Sequence, residues 1–163
     1  MNSATQKVMF SSKSKEWSTP QDFFDKLNWR FGPFNLDPCA TVYNTKCTNF
    51  YSPQENGLKQ DWSGHKVFVN PPYGRDIKDW IQKGHEESLK PNTLVVMLVP
   101  ARTDTKYWSD YIMKAREIHF VKGRLKFGDS INPAPFPSAV VVFNNDWNYV
   151  YGHFPQIFTM ERQ

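Results

Sequence analysis

The stretch that decides the fold is T-L-V-V-M-L-V, residues 93–99. Apolar side chains follow one another along it, so a strand formed here has apolar residues on both of its faces. Burial of both faces is typical of a central strand in a parallel sheet that helices cover on either side. The sequence therefore predicts a central strand at 93–99, with strands and helices alternating around it.

Three segments have the apolar spacing of helices that pack on such a sheet. The first begins at Pro20, with Thr19 as its N-cap, and the others begin near Asp76 and Asp104. The side chains predicted to face the core in the first helix are Phe23, Phe24, Leu27 and Phe31. Those in the second are Ile77, Trp80, Ile81 and Leu89. Those in the third are Tyr107, Trp108, Tyr111, Ile112 and Ala115.

Further short apolar runs between turn residues predict the remaining strands. They lie at 34–37, 49–52, 66–70, 118–121, 139–143 and 148–151. This order predicts an α/β protein with a single open, mostly parallel sheet, in which the last two strands form an antiparallel pair at one edge. Ligands of such sheets bind at the carboxyl ends of the strands.

Length, charge and composition set the broad class of the protein. Its 163 residues suit one domain, at 17–163, after a flexible basic arm at 1–16. The net charge of +4 favours an anionic partner, and the aromatic content of 16% suits stacking on flat ligands. Cys39 and Cys47 form no C-x-x-C pair, the histidines lack metal-ligand spacing, and no apolar run is long enough to span a membrane. We therefore expect a cytoplasmic protein with no bound metal and no membrane segment.

The strand predicted at 66–70 ends in an unusual corner, N-P-P-Y-G at 70–74. A residue before proline is held in extended backbone, so Asn70 has little conformational freedom. Pro71 and Pro72 lack N–H groups and cannot continue a strand ladder. The corner therefore presents the Asn70 amide and nearby backbone carbonyls, with Tyr73 beside them as an aromatic plate.

Two acceptors beside a flat wall suit an exocyclic amino group on a planar ring. If the Asn70 side-chain oxygen and the Pro71 carbonyl each accept one N–H, the nitrogen is drawn toward tetrahedral geometry and its lone pair becomes available. Asn70 neither gives nor takes a proton at pH 7, so the electrophile has to be activated already, as a sulfonium methyl donor is. A second interpretation is a proline-terminated loop whose Asn70 only caps the helix near Asp76, and N-P-P-Y alone does not separate the two.

Together with other motifs, this corner resembles the small phage-type DNA N6-adenine methyltransferases, the Dam-like family. The resemblance covers about residues 17–143 and rests on the order and spacing of short motifs. They are W-S-T-P (17–20), L-D-P-C-A (36–40), D-W (61–62), N-P-P-Y-G (70–74), V-V-M-L-V-P-A-R-T-D-T (95–105) and G-R-L-K-F (123–127). The resemblance implies a doubly wound, Rossmann-like methyltransferase fold, S-adenosyl-L-methionine as cofactor and double-stranded DNA as partner.

The same resemblance implies roles for individual residues. The catalytic residues that receive a flipped-out adenine would be Asn70, Pro71, Pro72 and Tyr73. The cofactor-binding residues would be Trp17, Thr19, Pro20, Asp37, Pro38, Asp61 and Trp62. Within that set, Thr19 and Pro20 match the segment along the methionine part of the cofactor, and Asp61 matches the acid that contacts its adenine. Reading of the DNA is expected from the basic arm and from the loop 122–137, with Lys122, Arg124 and Lys126.

The sequence also departs from the family pattern and leaves alternatives open. The first cofactor loop, 37–41, contains no glycine, and Glu55 is the nearest candidate for the acid at the ribose hydroxyls. Without the resemblance, Asp61 is a surface turn residue, and Arg124 equally suits an ion pair within the fold. The alternative functions are an RNA adenine or a protein glutamine-amide methyltransferase or, from a different class, a non-catalytic nucleic-acid-binding module.

Overall fold

The computed structural model describes residues 18–145 and 154–163. Its strands are β1 (Lys66–Val69), β2 (Leu94–Pro100), β3 (Glu117–Lys122), β4 (Ser138–Asn144) and β5 (Gln156–Glu161). They form one sheet in the spatial order β1-β2-β4-β3-β5. The predicted arm at 1–16, Trp17 and the predicted strand at 148–151 lie outside the described residues.

Four of these strands run in one direction and one runs against them. β1 is parallel to β2, and β3 is parallel to β5. β4 is antiparallel to both of its neighbours, β2 and β3. The predicted class, an α/β protein with one open and mostly parallel sheet, is therefore confirmed.

The antiparallel strand lies inside the sheet, and the prediction that placed an antiparallel pair at an edge is wrong. β4 is inserted between β2 and β3, while the edge strand β5 pairs in parallel. The physical reason is burial: six of the seven residues of β4 are buried, whereas β5 is exposed along most of its length. An apolar strand of this kind requires neighbours and covering layers on all sides.

The strands predicted at 34–37 and 49–52 are reduced to single bridges beside β1. Leu36 pairs in parallel with Val67, and Asp37 pairs in parallel with Phe50. Both bridges continue the sheet beyond β1, so the loop that begins at Asp37 reaches the same edge as the end of β1. This register brings the motifs L-D-P-C-A (36–40) and N-P-P-Y-G (70–74) to the same edge of the sheet.

Helices cover both faces of the sheet. Helix α1 (Gln21–Phe31) packs on one face, while α2 (Ile77–Ser88) and α3 (Lys106–Asp110) pack on the other. None of the helices in the described ranges is long and apolar enough to cross a membrane. The residues of β2 divide between the two layers, with Val96 and Leu98 facing α1 and Val95, Met97 and Val99 facing α2 and α3. The predicted two-sided central strand is therefore confirmed.

Two helix predictions need correction. Leu89 was expected to face the core, but α2 ends at Ser88 and the Leu89 side chain is 44% exposed. The third helix is a single short segment followed by a 3₁₀ turn at Ile112–Lys114, although Trp108 and Ile112 are buried as predicted. In both cases the apolar periodicity continues beyond the end of the helix.

Gly57 lies in direct contact with the backbone of the loop that follows Asp37. A Cβ atom added at Gly57 would lie 1.9 Å from the Pro38 carbonyl oxygen. The Gly57 carbonyl also accepts a hydrogen bond of 2.9 Å from the indole Nε1 of Trp62. Because position 57 has no side chain, the 3₁₀ turn at Gly57–Lys59 can pack directly against the backbone of the Asp37 loop.

We expect Gly57→Ala to lower the free energy of unfolding by about 1–3 kcal/mol, because the new methyl group cannot fit without moving backbone. Urea denaturation measures the change. Gly64→Asn is the control, since Gly64 has φ of 76° and no atom within 4 Å of an added Cβ. Equal stability of the two variants would contradict the close contact.

Candidate active site at the carboxyl ends of the strands

Asn70 begins the corner at the carboxyl end of β1. It follows Val69, whose partner across the sheet is Met97 of β2. The Asn70 side chain is half-buried, Pro71 is buried and Pro72 is exposed. The amide is therefore held at the edge of the sheet, with its oxygen shielded from solvent, on a backbone that the following proline stiffens.

The Asn70 amide contacts Thr19, which is 51 positions away in the sequence. Asn70 Nδ2 donates a hydrogen bond of 3.1 Å to the hydroxyl Oγ1 of Thr19, and Thr19 is only 5% exposed. The prediction that Thr19 is the N-cap of α1 is wrong, because Pro20 occupies that position and no side chain caps the helix. The interpretation of Asn70 as a cap of α2 also fails, since Asp76 is the N-cap there without a side-chain bond.

Tyr73 is held by two phenylalanines of the loop 123–137. Its ring is perpendicular to Phe136, with centroids 5.2 Å apart, and to Phe127, with centroids 6.2 Å apart. Burial raises the pKa of the Tyr73 phenol above its usual value, so the group stays neutral. Neither Phe127 nor Phe136 was predicted as a site residue, although Phe127 ends the motif G-R-L-K-F and both lie in a loop rich in glycine and proline.

Two backbone hydrogen bonds fix the same loop over the site. Gly128 N–H donates to the Ser18 carbonyl at 2.8 Å, and Ala101 N–H, just after β2, donates to the Pro137 carbonyl at 2.8 Å. The loop thus joins the segment before α1, the end of β2 and, through its aromatic rings, the corner after β1. The motifs S-T-P, N-P-P-Y and G-R-L-K-F therefore meet at one edge of the sheet.

Asp37 is a buried carboxylate at this edge. It accepts N–H groups from Lys46 at 3.1 Å and from Cys39 at 3.4 Å, so its own loop folds around it. Burial nevertheless raises the pKa of Asp37 from 3.8 to about 6, because the two hydrogen bonds only partly offset the lost hydration. The loop after Asp37 contains no glycine, and hydrogen bonds from Cys39 and Lys46 to the Asp37 carboxylate hold its turn.

Asp61 does not join this group. Its carboxylate pairs with Lys90 at 2.9 Å, just beyond the end of α2, and it also accepts the N–H and hydroxyl of Ser63. Hydrogen bonds from Lys90 and then Ser63 hold the pKa of Asp61 well below its usual value. The chain runs from Asp61 into the start of β1, where the His65 carbonyl accepts the Leu94 N–H at the start of β2, so Asp61 lies at the amino edge of the sheet. The length of β1, about 13 Å, separates this edge from Asn70. The predicted contact between Asp61 and the cofactor adenine is therefore wrong, because Asp61 lies at the opposite edge of the sheet from Asn70.

Trp62 is a core residue. Its side chain is fully buried and stacks on Trp80, with ring centroids 6.3 Å apart. The indole supports the turn at Gly57 from inside the core, and it offers no ring face to a ligand. The expectation that Trp62 binds the cofactor is therefore wrong, because burial of its large apolar ring in the core leaves no surface for a ligand to contact.

The three predicted DNA-binding cations lie on the solvent side of the end of β3 and the start of the loop 123–137. From Val121 to Phe127, Val121, Leu125 and Phe127 are buried, whereas Lys122, Arg124 and Lys126 are exposed. Lys122 pairs with Glu161 at 2.6 Å, and both side chains remain more than half exposed. Within the described part of the chain, Arg124 and Lys126 form no ion pair. The alternative of an internal ion pair for Arg124 thus has no support in the described ranges.

Glu55, the nearest candidate for a ribose-binding acid, caps its own turn. The carboxylate accepts the Ser52 N–H at 2.8 Å and the Ser52 hydroxyl at 3.0 Å, and these bonds lower the pKa of Glu55. Its contact with a ribose therefore stays a prediction. Residues 18–145 and 154–163 contain no cluster of His, Cys, Asp and Glu side chains that could hold a metal ion.

The burial of Asp37 predicts a specific pH dependence of stability. Because its pKa is about 6 in the folded state and 3.8 ordinarily, the folded state holds the proton more tightly between these values. Stability therefore falls as pH rises from about 4 to about 6, and this contribution is level above pH 6. The full difference corresponds to about 3 kcal/mol.

We expect Asp37→Asn to remove this part of the pH profile, because the amide does not titrate. Urea denaturation of variant and wild type at pH 4.5 and pH 7.5 measures the effect, and the variant should gain relative stability at the higher pH. Replacing the exposed Asp104 by Asn controls for the loss of one charge. Parallel pH profiles for wild type and Asp37→Asn would show that the buried carboxylate carries no such cost.

Comparison with known proteins agrees with this arrangement of motifs. The family model for DNA N-6-adenine-methyltransferase (Dam) matches residues 6–152. A DNA N-6-adenine-methyltransferase of Haemophilus phage HP1 is 31% identical over 134 residues, which cover 78% of this chain and 77% of the relative. One of Escherichia phage T1 is 36% identical over 110 residues, which cover 67% of this chain and 45% of the relative. This chain belongs to the Dam family of DNA N-6-adenine methyltransferases.

Proposed function

We propose that this protein transfers a methyl group from S-adenosyl-L-methionine to N6 of a flipped-out adenine in double-stranded DNA. The observation that carries the proposal is the Asn70 amide, held by Thr19 at the carboxyl end of β1 in a chain of the Dam family. The relatives in phages HP1 and T1 both bear the name of this activity. Helices on both faces of a mostly parallel sheet support a Rossmann-like methyltransferase fold.

The corner after β1 is suited to bind and activate an aromatic amine. The side-chain oxygen of Asn70 and the carbonyl of Pro71 would each accept one of the two N6–H groups of adenine. Both acceptors are set by a stiff backbone, so they need little reorganisation when the lone pair develops at nitrogen. The amide and carbonyl oxygens would draw the nitrogen out of conjugation with the ring.

Tyr73 supplies position rather than proton transfer. Phe127 and Phe136 fix its ring, so that it can stack on the base as a rigid surface. Its phenol is neutral because burial raises the pKa, and the Asn70 amide is not basic. The proton released from N6 after transfer would therefore pass to water, since a methylated aromatic ammonium group is a strong acid.

The edge of the sheet also fits a cationic cofactor. Bound S-adenosyl-L-methionine would supply a methyl group activated by its sulfonium. A buried carboxylate gains from a nearby positive charge, which supports Asp37, with the buried Pro38, as part of the cofactor site. Trp17, Thr19 and Pro20 remain our proposal for the methionine part, on the basis of the W-S-T-P motif.

DNA binding would use the exposed cations of the loop 123–137. Flipping a base out of a duplex costs a few kcal/mol, and phosphate contacts offset that cost. Arg124 and Lys126 point outward from the segment whose inward side holds Tyr73. Contacts to the DNA backbone there would lie next to the corner that receives the base.

We expect Asn70→Ala to lower the turnover number by about 10²–10³-fold, because one of two acceptors for the amine is lost. Transfer of labelled methyl groups to duplex DNA measures turnover, and calorimetry should show a cofactor affinity within about threefold of wild type. Asn145→Ala is the control, since that exposed amide bonds the Leu89 carbonyl at the amino edge. Normal methylation by Asn70→Ala would refute the assigned role, and a preference for RNA or a glutamine peptide over DNA would refute the substrate.

We expect the double variant Arg124→Ala/Lys126→Ala to bind DNA more weakly and with less dependence on salt. Two lost phosphate contacts should reduce the slope of log K against log[salt] by about 2. Lys114→Ala is the control, because that exposed lysine lies at the amino edge of the sheet. An unchanged slope in the double variant would place the DNA elsewhere on the surface.

A further inference from the structure

The contact between Thr19 and Asn70 has a direct bearing on the orientation of the amide. We propose that Thr19 is a positioning residue, whose hydroxyl restrains the Asn70 side chain at the corner, where its amide oxygen can accept from the target amine. This inference rests on the proposed function. It gives Thr19 a part in turnover, separate from any contact that it makes with the cofactor.

An asparagine side chain does not orient its own amide. The terminal torsion of asparagine is broad and roughly two-fold, so rotation of the group exchanges oxygen and nitrogen at little cost. Only one of the two orientations suits an amine, because an amide N–H facing an amine N–H places two donors against each other. The catalytic corner therefore needs a second group that restrains the torsion of the amide.

Thr19 meets this requirement by its contact. Its Oγ1 lies 3.1 Å from Asn70 Nδ2 and accepts a hydrogen bond from it. The nitrogen branch of the amide thus points toward α1, and the oxygen branch points away from Thr19. Because a hydroxyl can also donate, Thr19 restrains the torsion of the amide, and the orientation in the structure, with nitrogen at Thr19, leaves the oxygen branch for the target amine.

The backbone on both sides of Thr19 is anchored. After it, the Pro20 carbonyl accepts the Phe24 N–H at 3.0 Å, which begins the hydrogen bonding of α1. Before it, the Ser18 carbonyl accepts the Gly128 N–H at 2.8 Å from the loop 123–137. Thr19 itself precedes proline and is β-branched, so its backbone and χ1 torsions are both restricted. The hydroxyl is therefore a fixed reference point for the amide.

The experiment compares Thr19→Val with Thr19→Ser. Valine keeps the shape of threonine but has no hydroxyl, so we expect the turnover number at saturating cofactor and DNA to fall about 10-fold or more. The KM for S-adenosyl-L-methionine is measured in parallel, because it reports the separate contact proposed between Thr19 and the cofactor. Serine keeps the hydroxyl and should recover most of the turnover. Thr159→Val, on the exposed edge strand β5, is the matched control and should behave as wild type.

A double-mutant cycle tests whether Thr19 acts through Asn70. If it does, Thr19→Val lowers the residual turnover of Asn70→Ala by less than about twofold, because there is no amide left to orient. Full additivity of the two substitutions overturns the proposal. So does a Thr19→Val variant that raises the cofactor KM and keeps the wild-type turnover number, since that pattern belongs to a cofactor-lining residue.

Failure of this inference can be told apart from failure of the proposed function. If wild type methylates DNA and Asn70→Ala does not, but Thr19→Val turns over normally, only the positioning role is wrong. If wild type methylates no adenine, the proposed function fails first. Thermal unfolding of each variant in parallel shows whether a loss of turnover comes with a loss of the fold, and Thr19→Ser remains informative where Thr19→Val unfolds.

Discussion

The parallel register between β1 and its neighbours is the constraint on which the site depends. Val69 pairs with Met97 on one side, and Val67 pairs with Leu36 on the other. Parallel strands that are in register end at the same edge, so the loops that follow them lie side by side. A shift by one residue would exchange the side chains of β2 that face α1 for those that face α2, and the close packing of both layers resists that exchange.

The loop 123–137 completes the candidate site at this edge of the sheet. It has no helix or strand of its own, yet it bonds the segment before α1 and the segment after β2, and its rings pack on Tyr73. A catalytic corner that depended on its own two prolines would be stiff but open. With Phe127 and Phe136 against it, the aromatic residue of the corner is fixed as well. Rigidity here comes from tertiary contacts as much as from proline.

Much of the architecture was predictable because it follows from local patterns. Helical spacing in α1 and α2, the two-sided apolar run of β2 and the end of β1 at Asn70 depend on residues close in the sequence. The position of β4 was not predictable in this way, because nothing in one strand says which strands become its neighbours. Leu89 was misplaced for a similar reason, since periodicity alone does not mark the end of a helix.

The site was predictable in its residue types and less so in its contacts. N-P-P-Y was recognised as a corner from the chemistry of proline. Thr19 was expected to cap a helix, which is the local use of a threonine before proline, but a contact across 51 positions takes its place. Resemblance alone placed Asp61 and Trp62 with the cofactor, and the structure puts one at the opposite edge and the other in the core. Asp61 comes shortly before β1 in the sequence, an order that itself places it at the amino edge, whereas the motif match alone suggested the carboxyl edge.

The segment Arg124 to Phe127 has a consequence for how such a protein can change over time. Its exposed and buried side chains alternate, so the inward residues support the corner while the outward ones meet solvent. Substitution at an outward position leaves the inward side intact, and the outer surface is therefore free to diverge. Insertion or deletion of one residue would instead exchange the two sides and withdraw Phe127 from Tyr73. A change in the length of this segment is therefore less well tolerated than a substitution at one of its outward positions.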